Sequence, residues 1–152
     1  MTTQGEAILA FLNTAIAEHE RVAQEACDGG DGRWHSGWCP DDEIEEGETS
    51  GAGVSDERDR TVVYDEGYPT KPQSVHIALH DPASVLRRCA ADRKLIAEHQ
   101  PDGMGGCITC ARPEESEEDS EGNSVSFRTA TPHPCPTVVA LAECYGWTEG
   151  ER

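Results

Sequence analysis

Residues 76–110, HIALHDPASVLRRCAADRKLIAEHQPDGMGGCITC, contain the strongest structural signals in this chain of 152 residues. Asp81-Pro82 is typical of a helix start, because an aspartate caps the first turn and a proline there loses no hydrogen bond. The helix is expected to run from Pro82 to about His99, where PDGMGG ends it. Its spacing predicts one buried side, carrying Val85, Cys89, Asp92 or Arg93, and Ile96.

The Cys-x-x-Cys sequence that follows supplies half of a tetrahedral metal site, because its two thiolates can point at one ion. The other two ligands must come from elsewhere in the chain. Cys135 precedes a predicted helix start, where the helix dipole favours a thiolate, and His99 ends the preceding helix. We therefore predict a structural Zn²⁺ site made of His99, Cys107, Cys110 and Cys135.

Other ligand choices stay open at this level. His133 is the main alternative to His99, and Cys89 and Cys144 rank below both. A redox role for the Cys-x-x-Cys pair is disfavoured, because such pairs normally open a helix after a strand in a βαβ unit. No unit of that kind is predicted here.

A possible second metal site lies just before the long helix. His76 and His80 are four residues apart, so they share one face of a short helix predicted for residues 73–80. Asp81 follows as a third ligand or orienting carboxylate, although helix capping explains the same aspartate. A metal-dependent enzyme using this triad is one alternative function. A weaker set for a second ion consists of Cys27, His35 and Cys39.

The whole pattern predicts an α+β fold: a small, mainly helical single domain, residues 1–152, with a short antiparallel hairpin and the zinc site. Strands are predicted for residues 33–39 and 61–65, with a long hairpin loop between them. A last short helix is expected to open at Pro136. Residues 5–26 predict an amphipathic helix, with a stripe of Ile8, Leu12, Ala15, Val22 and Ala26.

Charge is distributed unevenly along the chain. Thirty Asp and Glu against twelve Lys and Arg give a formal net charge of −18. Half of these acids lie at Asp41–Asp59 or Glu114–Glu121, which predicts flexible acidic loops at about 40–60 and 112–131. This charge argues against direct binding of nucleic acids and of anionic membranes. It also allows an acidic nucleic-acid mimic, acting as an anti-defence protein, as an alternative function.

Cysteine usage and the amino-terminal sequence indicate the compartment. Seven cysteines, an odd number, argue against a disulfide framework. The sequence shows no secretory signal and no apolar stretch long enough to span a bilayer. We expect a cytoplasmic protein, in a bacterial cell or a phage-infected host. The predicted closed metal site favours a protein-interaction or regulatory module with a protein partner over an enzyme.

Three segments, HIALHDPASVLRRCAADRKLIAEH, CITC and PCPTVVALAECYGW, resemble a family of small proteins of unknown function from actinobacteria and their phages. Its members carry HIAxHDPAxVL, Cys-x-x-Cys and PCPT motifs. The resemblance covers most of the chain and implies no activity. This chain departs from the family pattern in a long acidic insert between the Cys-x-x-Cys pair and PCPT. The resemblance favours as one unit His99, Cys107, Cys110 and Cys135.

Overall fold

A computed structural model describes residues 3–38, 52–63, 69–111, 115–118, 122, 124–127 and 130–148. These residues form a mainly helical α+β structure, which confirms the predicted fold class. The helices are α1 (Thr3–Ala26), α2 (Lys71–Leu79), α3 (Pro82–Glu98) and α4 (Pro136–Cys144). The strands are β1 (Trp34–Trp38), β2 (Ala52–Asp56), β3 (Thr61–Val63), β4 (Glu115–Glu118) and β5 (Ser124–Phe127).

The chain contains two compact units. One comprises Glu18–Ala90, and the other combines Met1–Ala17 with Ala91–Arg152. Helices α1 and α3 have residues in both units. The single zinc-stabilised domain expected from the chain length stays a prediction.

The sheet of unit Glu18–Ala90 differs from the predicted hairpin. Strand β2 lies between β1 and β3 and pairs antiparallel with both. The acidic loop predicted at about 40–60 is therefore wrong for residues 52–56, where Ala52 and Val54 are buried. A short apolar sequence inside an acidic segment can form a strand when it pairs with a strand on each side. Residues 39–51 of the predicted loop lie outside the described residues.

Asp56 organises the turn between β2 and β3. Its Oδ1 accepts hydrogen bonds from the N–H groups of Arg58 at 3.0 Å and Arg60 at 2.9 Å, and its Oδ2 accepts one from the Arg60 guanidinium at 2.7 Å. Burial acts to raise the pKa of Asp56, but these hydrogen bonds outweigh it and hold the pKa below its usual value. Arg60 also donates to Asp28 at 2.8 Å, so it ties the turn to the segment after α1.

The buried side of α1 matches the predicted stripe only in its first half. The side chains buried on this helix include Ile8, Leu12, Ile16 and Ala23. Of the predicted positions, Ala15 is half-buried, Val22 is 50% exposed and Ala26 is exposed. The buried line steps four residues from Leu12 to Ile16, where the prediction stepped three to Ala15, and the next step of seven residues, almost two turns, then reaches Ala23 rather than Val22.

Helix α3 begins as the sequence predicts. Asp81 caps it, because its Oδ1 accepts a hydrogen bond from the Ser84 N–H at 2.7 Å, and Pro82 is the first helical residue. The predicted buried side is confirmed at Cys89, Asp92 and Ile96, whereas Val85 is half-buried. Within the described ranges, no helix combines the length and the apolar character that crossing a membrane requires.

A separate hairpin lies in the second predicted acidic loop. Strands β4 and β5 pair antiparallel, with Glu115 opposite Phe127 and Glu118 opposite Ser124. The loop predicted at 112–131 is therefore wrong for these two strands, because cross-strand hydrogen bonding overrides the local acidic composition. Residues 112–114, 119–121, 123 and 128–129 lie outside the described residues.

Candidate metal centre

The Cys-x-x-Cys turn is built on a tight glycine-rich loop. The Asp102 carboxylate accepts hydrogen bonds from the N–H groups of Met104 at 2.8 Å and Gly106 at 2.9 Å. The Asp102 N–H in turn donates to the Gly106 carbonyl at 2.8 Å. This double link closes the loop and brings Cys107 back beside Pro101, with which it forms a β-bridge.

A neighbouring segment fixes the backbone of the two cysteines. The Cys107 N–H donates to the Thr131 carbonyl at 2.8 Å, and the Thr131 hydroxyl donates to the Cys110 carbonyl at 2.8 Å. One threonine thus holds both ends of the Cys-x-x-Cys turn. The turn does not open a helix, which differs from the usual placement of a redox pair.

His99 reaches the turn from the carboxyl end of α3. Its N–H donates to the Leu95 carbonyl at 3.0 Å, so its backbone continues the helical hydrogen bonding by one residue. The Thr109 hydroxyl donates to the Glu98 carbonyl, and the Ile108 N–H donates to the Gln100 carbonyl at 3.0 Å. The end of α3 is therefore bonded directly to the turn that carries the thiols.

Cys135 reaches the same point from the start of α4. It is the N-cap residue, with an extended backbone (φ −75°, ψ 163°), and Pro136 follows it at the start of the helix. Its carbonyl accepts the first helical hydrogen bond, from the Val139 N–H at 3.1 Å. The predicted helix start at Pro136 is confirmed, and the predicted position of Cys135 at the positive end of a helix is confirmed with it.

The imidazole of His99 lies almost equally far from three sulfur atoms. Its Nδ1 is 3.5 Å from the Sγ of Cys107, 3.4 Å from that of Cys110 and 3.4 Å from that of Cys135. Zn–N and Zn–S bonds of about 2.0 and 2.3 Å at the tetrahedral angle would separate N from S by about 3.5 Å. Since Nδ1 carries at most one proton, hydrogen bonding alone does not account for three equal contacts.

The four side chains are positioned to bind a metal ion. One ligand atom from each lies within 4.8 Å of all the others. Cys107 and Cys135 are 0% exposed, and His99 is 8% exposed. Among the residues that the structure describes, this is the only group of three or more His, Cys, Asp and Glu side chains with such geometry. The candidate set of His99, Cys107, Cys110 and Cys135 is thus brought together by the fold.

The protonation of the thiols is uneven. Burial acts to raise the pKa of Cys107, but hydrogen bonds from the Cys110 N–H and from His99, Cys135 and the Thr109 N–H lower it to about 7. Burial and the neighbouring thiols of Cys135 and Cys107 together raise the pKa of Cys110 to about 11. Three thiolates so close together require a compensating positive charge, which a divalent metal ion supplies.

The alternative ligands lie elsewhere. His133 is buried, and its N–H donates to the Gly105 carbonyl at 2.9 Å, but its ring is not part of the four-ligand group. Cys89 is buried outside the group and Cys144 is exposed. The structure therefore places His99, not His133, with the three thiols.

The weak set around the first tryptophan is not assembled in the described residues. The Cys27 thiol donates to the Ala23 carbonyl at 3.3 Å, and burial raises its pKa. The His35 Nε2 lies 3.5 Å from a carboxylate oxygen of Asp59. Cys39 lies outside the described residues, so its predicted role is not tested.

His76 lies on the last turn of α2 and His80 is the C-cap residue of that helix, and their rings lie side by side. Their ring centroids are 4.5 Å apart, and both side chains are exposed. Asp81 is buried instead, and its Oδ2 accepts a hydrogen bond from the Trp34 N–H at 3.3 Å while Oδ1 caps α3. The three do not form a metal-binding group in the described part of the chain, and a catalytic role for them stays a prediction.

The sequence analysis missed Asp102 and Thr131, which hold the cysteine turn in place. A signal for Asp102 was present, because an aspartate before glycines often bonds the backbone two residues further on. Nothing local marks Thr131, since its partners are far away in the sequence.

The acidic segments proposed to mimic nucleic acid lie largely outside the described residues, so that alternative also stays a prediction.

The comparisons with known proteins agree with the resemblance to a family of unknown function. No curated protein and no solved structure matched this chain. A family of unknown function, DUF6221, matches residues 5–146, which include all four residues of the metal centre. The chain therefore belongs to the DUF6221 family.

Proposed function

We propose that this protein binds one Zn²⁺ ion through His99, Cys107, Cys110 and Cys135, and that the ion has a structural role. The observation that carries the proposal is the set of Nδ1–Sγ distances, 3.4 to 3.5 Å to each of three sulfurs. These distances agree with the edge of a zinc-centred tetrahedron, about 3.5 Å. Three of the four ligands are buried and Cys110 is half-buried, which further supports an enclosed ion.

The donor set favours zinc over other metals. Three thiolates and one imidazole suit zinc, whereas carboxylate and carbonyl oxygens suit magnesium and calcium. Four protein ligands fill a tetrahedral ion, so no position remains for a catalytic water. A closed site of this kind contributes to folding and not to a reaction.

The ion would join segments that have few other means of packing. Its ligands come from the end of α3, the Cys-x-x-Cys turn and the start of α4. Aromatic residues make up only 5% of the chain, so the apolar core is small. Structural zinc supplies about 10–16 kcal/mol of apparent binding free energy in small peptides. We expect the metal-free protein to be less stable than the zinc-bound protein.

The test is metal content and stability of the tag-free full chain. Elemental mass spectrometry is expected to give one zinc per chain for the wild type and none for Cys107→Ser, with a lower melting temperature for the variant. Cys144→Ser is the matched control, because Cys144 is an exposed cysteine outside the group. No stoichiometric metal in the wild type, or equal zinc in both variants, would contradict the proposal.

The folded protein is proposed to act as a protein-interaction or regulatory module. Two large apolar side chains support this role, because Met104 is 95% exposed and Ile108 is 51% exposed on the loop that carries the cysteine turn. Zinc would hold this loop in one conformation. Exposed apolar side chains held on one rigid loop offer a surface that another protein can cover.

Binding assays with loop variants test the module. A partner recovered from a bacterial lysate by the wild type should be lost with Met104→Glu or Ile108→Glu. Leu79→Glu is the control, since Leu79 is 68% exposed but lies on α2. Recovery of the same partner by all three variants would show that this loop is not the binding surface.

A further inference from the structure

An exposed pair of histidines lies at the end of α2, in unit Glu18–Ala90, with His76 on the last turn of the helix and His80 as its C-cap residue. The rings of His76 and His80 are one helical turn apart, with centroids separated by 4.5 Å and planes tilted by 56°. Two imidazoles about one helical turn apart can reach the same metal ion, which is how paired histidines on a helix chelate a metal. We infer that His76 and His80 bind a divalent transition-metal ion, separate from the His99 cluster.

The backbone that carries the pair is fixed at both ends. At the start of α2, the Thr70 N–H donates to Oε1 of Gln73 at 2.8 Å, and the Ser74 N–H donates to the Thr70 carbonyl at 2.9 Å. At its end, the His80 N–H donates to the Ile77 carbonyl at 3.1 Å. A chelating pair on a short, well-capped helix loses little conformational freedom when it binds an ion.

The neighbouring carboxylate is not a third ligand. Both oxygens of Asp81 accept backbone hydrogen bonds, from Ser84 at 2.7 Å and from Trp34 at 3.3 Å. These hydrogen bonds hold the carboxylate toward α3 and β1, and Asp81 forms no three-ligand group with the two histidines in the described part of the chain. The ion would therefore have two protein ligands from α2, and its other positions would be open.

Open positions matter because His80 also lines a cavity. The cavity has a volume of about 420 Å³, within the range of about 300–1,000 Å³ that is usual for small-molecule sites. Its walls are mostly apolar and include Val22, Trp34 and Val85, with Glu18 and His19 as polar members. Water or a small donor molecule in this cavity can complete the coordination of an ion held at His80.

The charge and the donor type select the ion. A formal net charge of −18 raises the concentration of cations near the surface. Neutral imidazole suits nickel, copper and zinc, whereas magnesium and calcium prefer oxygen donors. The site is thus expected to discriminate against the abundant alkaline-earth ions.

Nickel binding to the tag-free, zinc-loaded full chain tests the inference. Isothermal titration calorimetry is expected to show one Ni²⁺ bound per chain without loss of zinc. His76→Gln and His80→Gln should each weaken this binding at least about tenfold, or about 1.4 kcal/mol. His35→Gln is the matched control, because His35 is an exposed histidine on β1, and it should bind nickel like the wild type.

A second measurement does not depend on the variants. Paramagnetic Ni²⁺ should broaden the amide NMR signals of residues 72–84 in the wild type before those of residues 104–112. Broadening that starts around Cys107 instead would place nickel in the cysteine cluster and overturn the inference. Wild-type protein that binds no nickel, or histidine variants that bind it unchanged, would overturn it as well. The zinc content of His76→Gln is expected to be unchanged, so this result is separable from the proposed zinc site.

Discussion

The turn after α1 contains Gly32, and the atoms around this glycine leave no room for a side chain. Gly32 has a φ of +73°, and a Cβ added there would lie 2.6 Å from the Sγ of Cys27 and 3.1 Å from the Cβ of Pro82. Its carbonyl accepts a hydrogen bond from the Ala83 N–H at 3.0 Å, so the turn is tied to the start of α3. Gly32→Ala would both strain the backbone and push against fixed neighbours.

The expected loss of stability has two parts. A left-handed backbone costs a residue with a Cβ about 1–2 kcal/mol, and overpacking adds about 1–3 kcal/mol. We expect Gly32→Ala to lower the free energy of unfolding by about 2–5 kcal/mol, against a total of about 5–15 kcal/mol for a typical protein. Gly29 isolates the first part, because its φ is +74° and no atom of the described residues lies within 4 Å of its added Cβ.

Urea unfolding of the zinc-loaded full chain, followed by circular dichroism, measures both variants. Gly29→Ala should lose only the backbone part, about 1–2 kcal/mol. Adding Cys27→Ala to Gly32→Ala removes the Sγ atom nearest to the added Cβ. The double variant should therefore lose at least about 0.5 kcal/mol less stability than the sum of the two single variants. Equal losses for Gly32→Ala and Gly29→Ala, or no coupling to Cys27, would refute the steric argument.

Three further predictions concern α3 and the cysteine cluster. Asp81→Ala should destabilise the protein by about 1–2 kcal/mol in urea unfolding, because it removes the cap of α3. Asp81→Asn is the comparison, since asparagine can also cap a helix. A loss for Asp81→Ala no greater than that for Asp81→Asn would contradict this reason. In zinc-free protein, Cys107 should react with iodoacetamide faster than Cys110 at neutral pH, since their pKa values are about 7 and about 11. Its rate should rise as the pH passes about 7, and peptide mass mapping that finds the same pH profile for both thiols would refute the assignment. Gly106→Ala should weaken the retention of zinc against a chelator by at least about tenfold. The reason is that the added Cβ would lie 2.6 Å from Oδ2 of Asp102, which holds the loop before the cysteine turn. Retention equal to that of the wild type would contradict this reasoning.

The strands show where local sequence fails as a guide. β2 is a buried central strand inside a segment that its acidic composition marks as a loop. Strand formation there depends on partners on both sides, β1 and β3, which are distant in sequence or reached by a turn. The turn itself is closed by Asp56 and Arg60. Charged residues such as these usually indicate a solvated loop when only the local composition is considered. Here they make the hydrogen bonds that hold the turn.

The sequence by itself determined the features that depend on neighbours along the chain. The capped start of α3 at Asp81-Pro82 and the start of α4 at Pro136 are both local hydrogen-bonding patterns. The α+β class follows from the same local periodicities. Each of these was predictable because the groups that satisfy each other lie within a few residues.

Only the tertiary structure decided which histidine joins the three thiols. His99 and His133 are both buried and both lie near a cysteine in sequence, so spacing alone leaves the choice open. The end of α3 is bonded to the cysteine turn through Gln100 and Glu98, and this brings the His99 Nδ1 within 3.5 Å of all three sulfurs. A metal ion binds only where its ligand atoms lie close together. The distances between those atoms are set by contacts between segments that are far apart in the sequence.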